Sequence, residues 1–151
     1  MCGIAGFVGF GNPNYSIKEI ASKMGSSIAH RGPDQSGLWI DENAQVAFAH
    51  QRLSILDLSS AGSQPMISSS GRFIVVFNGE IYNHKPLREQ ISLSQKNTPW
   101  VGSSDTETLL AAIDTWGVEK AISCLEGMFA IALWDKKYNN LYLIRDRVGE
   151  K

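Results

Sequence analysis

Cys2, followed by Gly3, heads a stretch of small and apolar residues that reads as a strand. Residue 2 is small enough for Met1 to be removed, and a cysteine in first place carries a nucleophilic thiol and a free α-amine. One residue then supplies attacking group and proton acceptor. Arg52, just after a strand that ends at His50, offers a fixed positive fork matched to a carboxylate. Asn78-Gly79-Glu80 closes an apolar run, and an Asn side chain with a Gly N–H at a strand end can aim two donors at an oxyanion. Asp105 opens a helix. Each also has an ordinary reading. Cys2 can merely follow the initiator, Arg52 can be a surface ion-pair partner, Asn78-Gly79 a turn and Asp105 a partner of the helix dipole. Taken together they form an inventory of nucleophile, amine base, oxyanion donors, one cation and one anion. The last two match the carboxylate and ammonium of a free α-amino acid.

The elements that must position these residues alternate between strands and helices. Ile4 to Val8 reads as a strand and Gly9 to Asn14 as a turn. Ser16-x-x-Glu19 is a capping box for a helix with Ile17, Ile20, Met24 and Ile28 on one stripe, ending near Gly25 or Ser26. The rigid loop His30 to Asp34 follows, then strands Gly37 to Ile40 and Val46 to His50. Ser59 to Gly71 shows no periodicity and is predicted to be an ordered loop, a flap over a site. Phe73 to Phe77 and Met128 to Trp134 are continuously apolar, the pattern of strands covered on both faces. Pro86 to Ile91 is a short helix that Asn83 could initiate, and Ser92 to Gly102 is a loop. Ser104-x-x-Glu107 caps a helix with Leu109, Leu110, Ile113 and Trp116 on its buried stripe and Gly117 as its stop. Val118 to Leu125 is one more short helix, and Leu141 to Ile144 a hairpin partner for Met128 to Trp134. The sum is an α+β domain of stacked sheets with helices outside.

At 151 residues, 43% hydrophobic and 19% charged, the chain has the length and composition of one globular domain. A net charge of −1 without a basic run gives nucleic acid no electrostatic footprint. No stretch is long and apolar enough for a membrane span, and the opening residues lack the basic start of a signal peptide. Cys2 and Cys124 make neither a disulfide framework nor, with His30, His50 and His84, a metal-ligand spacing. Cys124 is expected to be a buried small hydrophobe, and a reducing cytoplasm the natural location.

Eight motifs, in order along nearly the whole chain, carry a resemblance. The first are Cys2-Gly3-Ile4-x-Gly6, Arg31-Gly32-Pro33-Asp34-x-x-Gly37 and Arg52-Leu53-Ser54-Ile55-x-Asp57-Leu58. Next come Ala61-Gly62-x-Gln64-Pro65-Met66 and Phe77-Asn78-Gly79-Glu80-Ile81-Tyr82-Asn83. Ser104-Asp105-Thr106-Glu107, Gly127-Met128-Phe129-Ala130 with Leu133-Trp134-Asp135, and Arg145-Asp146-Arg147-x-Gly149 complete the set. The pattern resembles the N-terminal glutaminase domain of asparagine synthetases, a class II glutamine amidotransferase of the N-terminal-nucleophile type. The resemblance implies a four-layer αββα sandwich of two antiparallel sheets. It further implies that residues 1–151 are one amidotransferase domain, cut short at the C-terminus, with the synthetase domain absent.

By the same resemblance Cys2, freed of Met1, attacks the side-chain amide of L-glutamine with its own α-amine as base. Asn78 and the Gly79 N–H hold the oxyanion. Arg52 binds the substrate carboxylate, Leu53, Ser54, Ile55 and Leu56 line the pocket, and Glu80 and Asp105 receive the ammonium. Arg31 and Gly32 close over the amide end. No cofactor is implied in this domain; ATP and Mg belong to the synthetase domain, which would receive the ammonia. A homodimer is compatible with the letters, which do not choose an oligomeric state or the amide acceptor. Gln51 stands where the family often has another basic or polar residue and has no role in this scheme. Two other readings remain open at this level: a non-catalytic glutamine-binding or docking module, and an N-terminal-cysteine amidase for another linear amide.

Overall fold

The computed structural model describes residues 2–9, 16–54, 59–94 and 99–151. Two antiparallel sheets organise them. The first has the order β1-β3-β2, with β1 at Gly3–Val8, β2 at Gln35–Asp41 and β3 at Val46–Arg52. The second has the order β4-β5-β6-β7, with β4 at Met66–Ile67, β5 at Phe73–Ile81, β6 at Gly127–Asp135 and β7 at Asn140–Arg145. Helix α1, Ile17–Ser27, packs on the first sheet. Helices α2 (His84–Ser94), α3 (Asp105–Trp116) and α4 (Val118–Ser123) lie on the far side of the second. The result is the stacking of sheets between helices expected from the apolar runs, in the four-layer αββα order that the resemblance implies.

Two cores follow from the period-two alternation of the strands. Phe73, Val75, Phe77, Ile81, Phe129, Ile131 and Leu133 face the helices and meet Leu87, Ile91, Leu109, Ile113 and Leu125. The intervening residues Ile74, Val76 and Trp134 face the first sheet and pack against Val46 and Phe48, with Ile4 and Trp39 partly buried beside them. Both faces of β5 are thus covered, which is why Phe73 to Phe77 carries no polar residue.

The helix starts follow the sequence. Ser16 Oγ accepts from Glu19 N at 3.4 Å and Ser104 Oγ accepts from Glu107 N at 3.2 Å. Several details differ from expectation. The buried stripe of α1 is Ile17, Ala21 and Gly25, because the helix comes close to β3 there, a Cβ at Gly25 lying 3.1 Å from that of Ala49; Ile20 and Met24 lie half-buried on its flanks. Helix α2 spans His84–Ser94, longer than expected, and Asn83 does not cap it with its side chain. That amide donates to Cys124 O (2.9 Å) and accepts from Glu126 N (3.0 Å), tying the end of β5 to the start of β6. Cys124 is half-buried, at the end of α4 against the helix-side core. The segment predicted as loop from Ser59 to Gly71 includes β4, whose two residues pair with Val75 and Ile74. The turn expected at Gly9 to Asn14 lies almost wholly outside the described residues.

Candidate active site

The site arises where the alternation that builds the inter-sheet core runs on into polar residues. On β3 the inward series is Val46, Phe48, His50, Arg52; on β5 it is Ile74, Val76, Asn78, Glu80; on β1 it is Ile4 and, one step before the strand, Cys2. At the apolar end the sheets close on each other, and at the polar end they enclose a cleft. Its walls include Cys2, Arg52, Leu53, Asn78, Gly79, Glu80 and Asp105. Two expectations change here. Strand β3 runs on to Arg52, so Arg52 is its last residue and only 7% exposed. Asn78 and Gly79 do not end their strand, because β5 continues to Ile81, and they pair with Ala130 and Phe129 of β6.

Cys2 is half-buried, and its Sγ meets both polar groups of the Leu53 backbone, 3.4 Å from N and 3.7 Å from O. Arg52 NH1 donates to Ser59 O (2.9 Å) and Gln35 Oε1 (3.1 Å), which fixes the plane of the guanidinium. Asp105 accepts from Ile81 N at 3.0 Å and from its own helix at Thr106 N, 2.9 Å. Burial raises the Asp105 carboxyl above the ordinary carboxylate value, against these hydrogen bonds and the nearby His84.

The direction of the Gly79 N–H follows from ladder geometry. Alternate residues of an antiparallel strand turn their N–H and C=O toward opposite neighbours. Phe129, opposite Gly79, donates its N–H to Asp146 Oδ2 (3.2 Å) and its carbonyl accepts from Asp146 N (2.9 Å), so it makes no ladder bond with Gly79. The odd residues of β5 therefore face the edge away from β6. There Phe73 O accepts from Ser68 N (2.9 Å), Val75 pairs with Met66, and Ile81 bonds Asp105. Gly79 presents its N–H on this same edge, in the cleft wall. A side chain at 79 would place its Cβ 2.0 Å from Met128 O, so only glycine fits.

Other predicted residues lie outside the wall. Ser54 N donates to Asp34 Oδ2 at 2.7 Å and forms no part of it. Arg31 is exposed and Gly32 is buried against the backbone of Gln51 and Arg52, so this turn supports the end of β3 from behind. Ile55, Leu56 and Met1 fall outside the described residues. Gln51, without an assigned role, joins α1 to the first sheet through Gly25 O (3.0 Å) and Ser36 Oγ (2.8 Å).

Sequence reasoning missed Gly62, Gln64, Phe77, Ser104, Thr106, Met128 and Lys151 as parts of the wall. Gln64 and Met128 lie within matched motifs, but nothing in the letters said which way they point. Gly37 opens the way for Gln64: a Cβ there would lie 1.8 Å from Gln64 O, so the 62–65 loop rests directly on β2. Asp146 anchors the last residues, accepting from Glu150 N (2.8 Å) and Lys151 N (3.0 Å) as well as from Phe129 N. These N–H donors hold its carboxyl down at about 2.

His50 lies beneath the cleft, 1% exposed, with Nε2 3.3 Å from Phe77 O. A carbonyl only accepts, so Nε2 carries the proton. Burial, helped by the charge of Arg52 and opposed by the Phe77 bond, lowers the ring to about 4 from 6.5. The unfolded chain therefore binds a proton that the native one refuses between those values, and native stability falls as pH drops through that window. We expect this residue's share to reach about 3 kcal/mol by about pH 4. Urea unfolding from about pH 7 to pH 4.5 checks it, as the difference in slope between the native chain and His50→Gln. Identical slopes would refute a neutral buried ring.

Among the described residues no group of three or more His, Cys, Asp or Glu side chains could hold a metal ion. No helix among them is long and apolar enough to cross a membrane.

Two face-to-face antiparallel sheets between helices, with a leading cysteine at the polar end of the gap, define an N-terminal-nucleophile hydrolase fold. The model of the glutamine amidotransferase domain matches residues 1–151, and the chain belongs to that family. It is 37% identical over 153 residues to the asparagine synthetase [glutamine-hydrolyzing] 3 of Bacillus subtilis, covering 100% of this chain and 24% of that protein. It is 38% identical over 162 residues to the amidase chry2 of Gibberella zeae, covering 100% of this chain and 23% of that one. Among solved structures, the glutamine phosphoribosylpyrophosphate amidotransferase of B. subtilis, complexed with ADP and GMP, matches with a TM-score of 0.50 and 22% identity. That match covers 62% of this chain and 22% of the other, and it bears on the fold alone. The chain spans about a quarter of the length of the curated relatives it matches.

Proposed function

We propose that this domain hydrolyses L-glutamine to glutamate and ammonia through a glutamyl thioester on Cys2. The observation that carries the reading is the convergence of Cys2, Arg52, Asn78, Gly79, Glu80 and Asp105 on one cleft, from four separate elements. With Met1 removed, Cys2 Sγ attacks the amide carbon and its proton passes by way of the α-amine to the departing nitrogen, which leaves as ammonia. The carbonyl oxygen gathers charge as the tetrahedral species forms, where the Asn78 amide and the Gly79 N–H stabilise it. Water then cleaves the thioester, returning the thiol and releasing glutamate.

Substrate choice is electrostatic. Arg52 meets the α-carboxylate; Glu80 and Asp105 meet the α-ammonium. Asp105 has two of its roughly four acceptor sites occupied by Ile81 and Thr106, and a bound ammonium supplies a close counter-charge to its buried carboxyl. Leu53 packs along the substrate's methylenes. The ammonia feeds an ATP- and Mg-dependent amide-forming portion of a longer, asparagine-synthetase-like protein; the residues described here supply only the glutaminase step.

Glutamate release from L-glutamine by the purified chain tests this. N-acetyl-glutamine, which lacks the ammonium, should react with roughly 100-fold lower kcat/KM because it leaves a buried carboxylate unpaired. Absence of glutamate would defeat the reading, and equal rates on both substrates would point instead to a general linear amidase.

A further inference from the structure

Two side chains without a role in the scheme above, His50 and Gln64, meet the backbone where β4 stops. Strand β4 ends its pairing with β5 at Met66 and Val75, so Phe77, the next residue facing that edge, has no strand on that edge among the described residues. Its peptide groups are satisfied from two directions instead. The Phe77 N–H donates to Gln64 Oε1 at 2.6 Å, and its carbonyl accepts from His50 Nε2 at 3.3 Å. Gln64 is itself held at Thr106 Oγ1, 3.2 Å away, beside Asp105. His50 belongs to β3, where it stands opposite Ile4, two residues from Cys2. The residue just before Asn78 is therefore gripped by the strand that neighbours the nucleophile on one side and by the loop against α3 on the other.

We propose that His50 and Gln64 are positioning residues, which hold the Phe77 peptide so that the Asn78 amide and the Gly79 N–H stay aimed at the carbon Cys2 attacks. This rests on the glutaminase reading above. A side chain fixed to a peptide gives one setting, whereas a strand edge facing water gives many, and oxyanion donors act only when their placement is fixed before charge develops. His50 suits the task because its ring is neutral near pH 7 and keeps a donor at Nε2; its Nδ1 is buried with no partner among the described residues. Loss of the grip should act on the transition state, since Arg52, Glu80 and Asp105, the residues assigned to the substrate's charged ends, are left in place.

The test compares His50→Phe and Gln64→Met, which keep bulk and lose the bond to Phe77, with His50→Gln, which can return an amide N–H near the Nε2 position. His50→Phe and Gln64→Met are each expected to lower kcat for glutamine by roughly 10–100-fold with KM little changed, and His50→Gln to keep kcat within about threefold. Alkylation of Cys2 by iodoacetamide, followed at the Cys2 peptide by mass spectrometry, needs no oxyanion donors and should stay within about twofold throughout. Undiminished kcat in both disabling variants would overturn the proposal. So would a parallel loss of turnover and alkylation, which marks general loosening. If His50→Phe fails to fold, His50→Asn replaces it, since its amide reaches only the Nδ1 position; equal kcat for the Asn and Gln variants would overturn the idea. A native chain that releases no glutamate would instead defeat the glutaminase reading itself.

Discussion

Cys2→Ala is expected to abolish glutamate release, by roughly 10³-fold or more, because without a thiol no acyl intermediate forms. The fold should survive. The pairing of β1 with β3 from Gly3 onward is made by backbone, and among the described residues the thiol's polar partner is the Leu53 backbone, a loss of about 1 kcal/mol or less. Glutamine should still bind the variant, as calorimetry can read, since Arg52, Glu80 and Asp105 remain. Normal turnover by Cys2→Ala would sink the mechanism. A companion measurement is the mass of the mature chain, because the α-amine exists only when Met1 is gone. A diazo-ketone analogue of glutamine should then label Cys2, and a chain retaining Met1 should resist it.

Asn78→Ala should lower kcat by about 10²–10³-fold, equivalent to roughly 3–4 kcal/mol of transition-state stabilisation, and leave KM close to its native value. Its side chain belongs to the inward series of β5 and reaches the cleft, while its backbone stays paired with Ala130 whatever the side chain is. The variant thus removes a donor without moving the strand. Steady-state kinetics on glutamine reads the split directly. A raised KM at unchanged kcat would show that Asn78 binds ground-state substrate and would remove it from the oxyanion role.

The same strand shows how far the sequence can be read. Phe73 to Phe77 and Met128 to Trp134 announce two doubly covered strands because burial on both faces leaves no room for a polar residue, and the layered architecture follows from them. Asn78-Gly79 reads as a strand end, or as a turn, because that pair favours turns in isolation. Here pairing with β6 overrides the local preference, and glycine is needed for the close approach of Met128 O instead. Convergence was half-legible: Cys2 with Ile4, Phe48 with His50 and Arg52, and Val76 with Asn78 and Glu80 all sit at period two. Which strand lies beside which is a long-range fact, however, and no spacing encodes it. Gln64 was out of reach for a simpler reason. Its role depends on where a two-residue strand happens to end, and β4 is too short to leave a periodic signature.

Asp146 gives the far end of the chain an unexpected reach. Its backbone and side chain both engage Phe129, and Phe129 lies directly across from Gly79. One carboxylate and one cross-strand step therefore link residues 149–151 to the peptide assigned to steady the oxyanion. With its carboxyl ionised down to about pH 2, that linkage does not slacken anywhere in the physiological range. One side chain thus ties the backbone of Glu150 and Lys151 to the strand that lies across from Gly79.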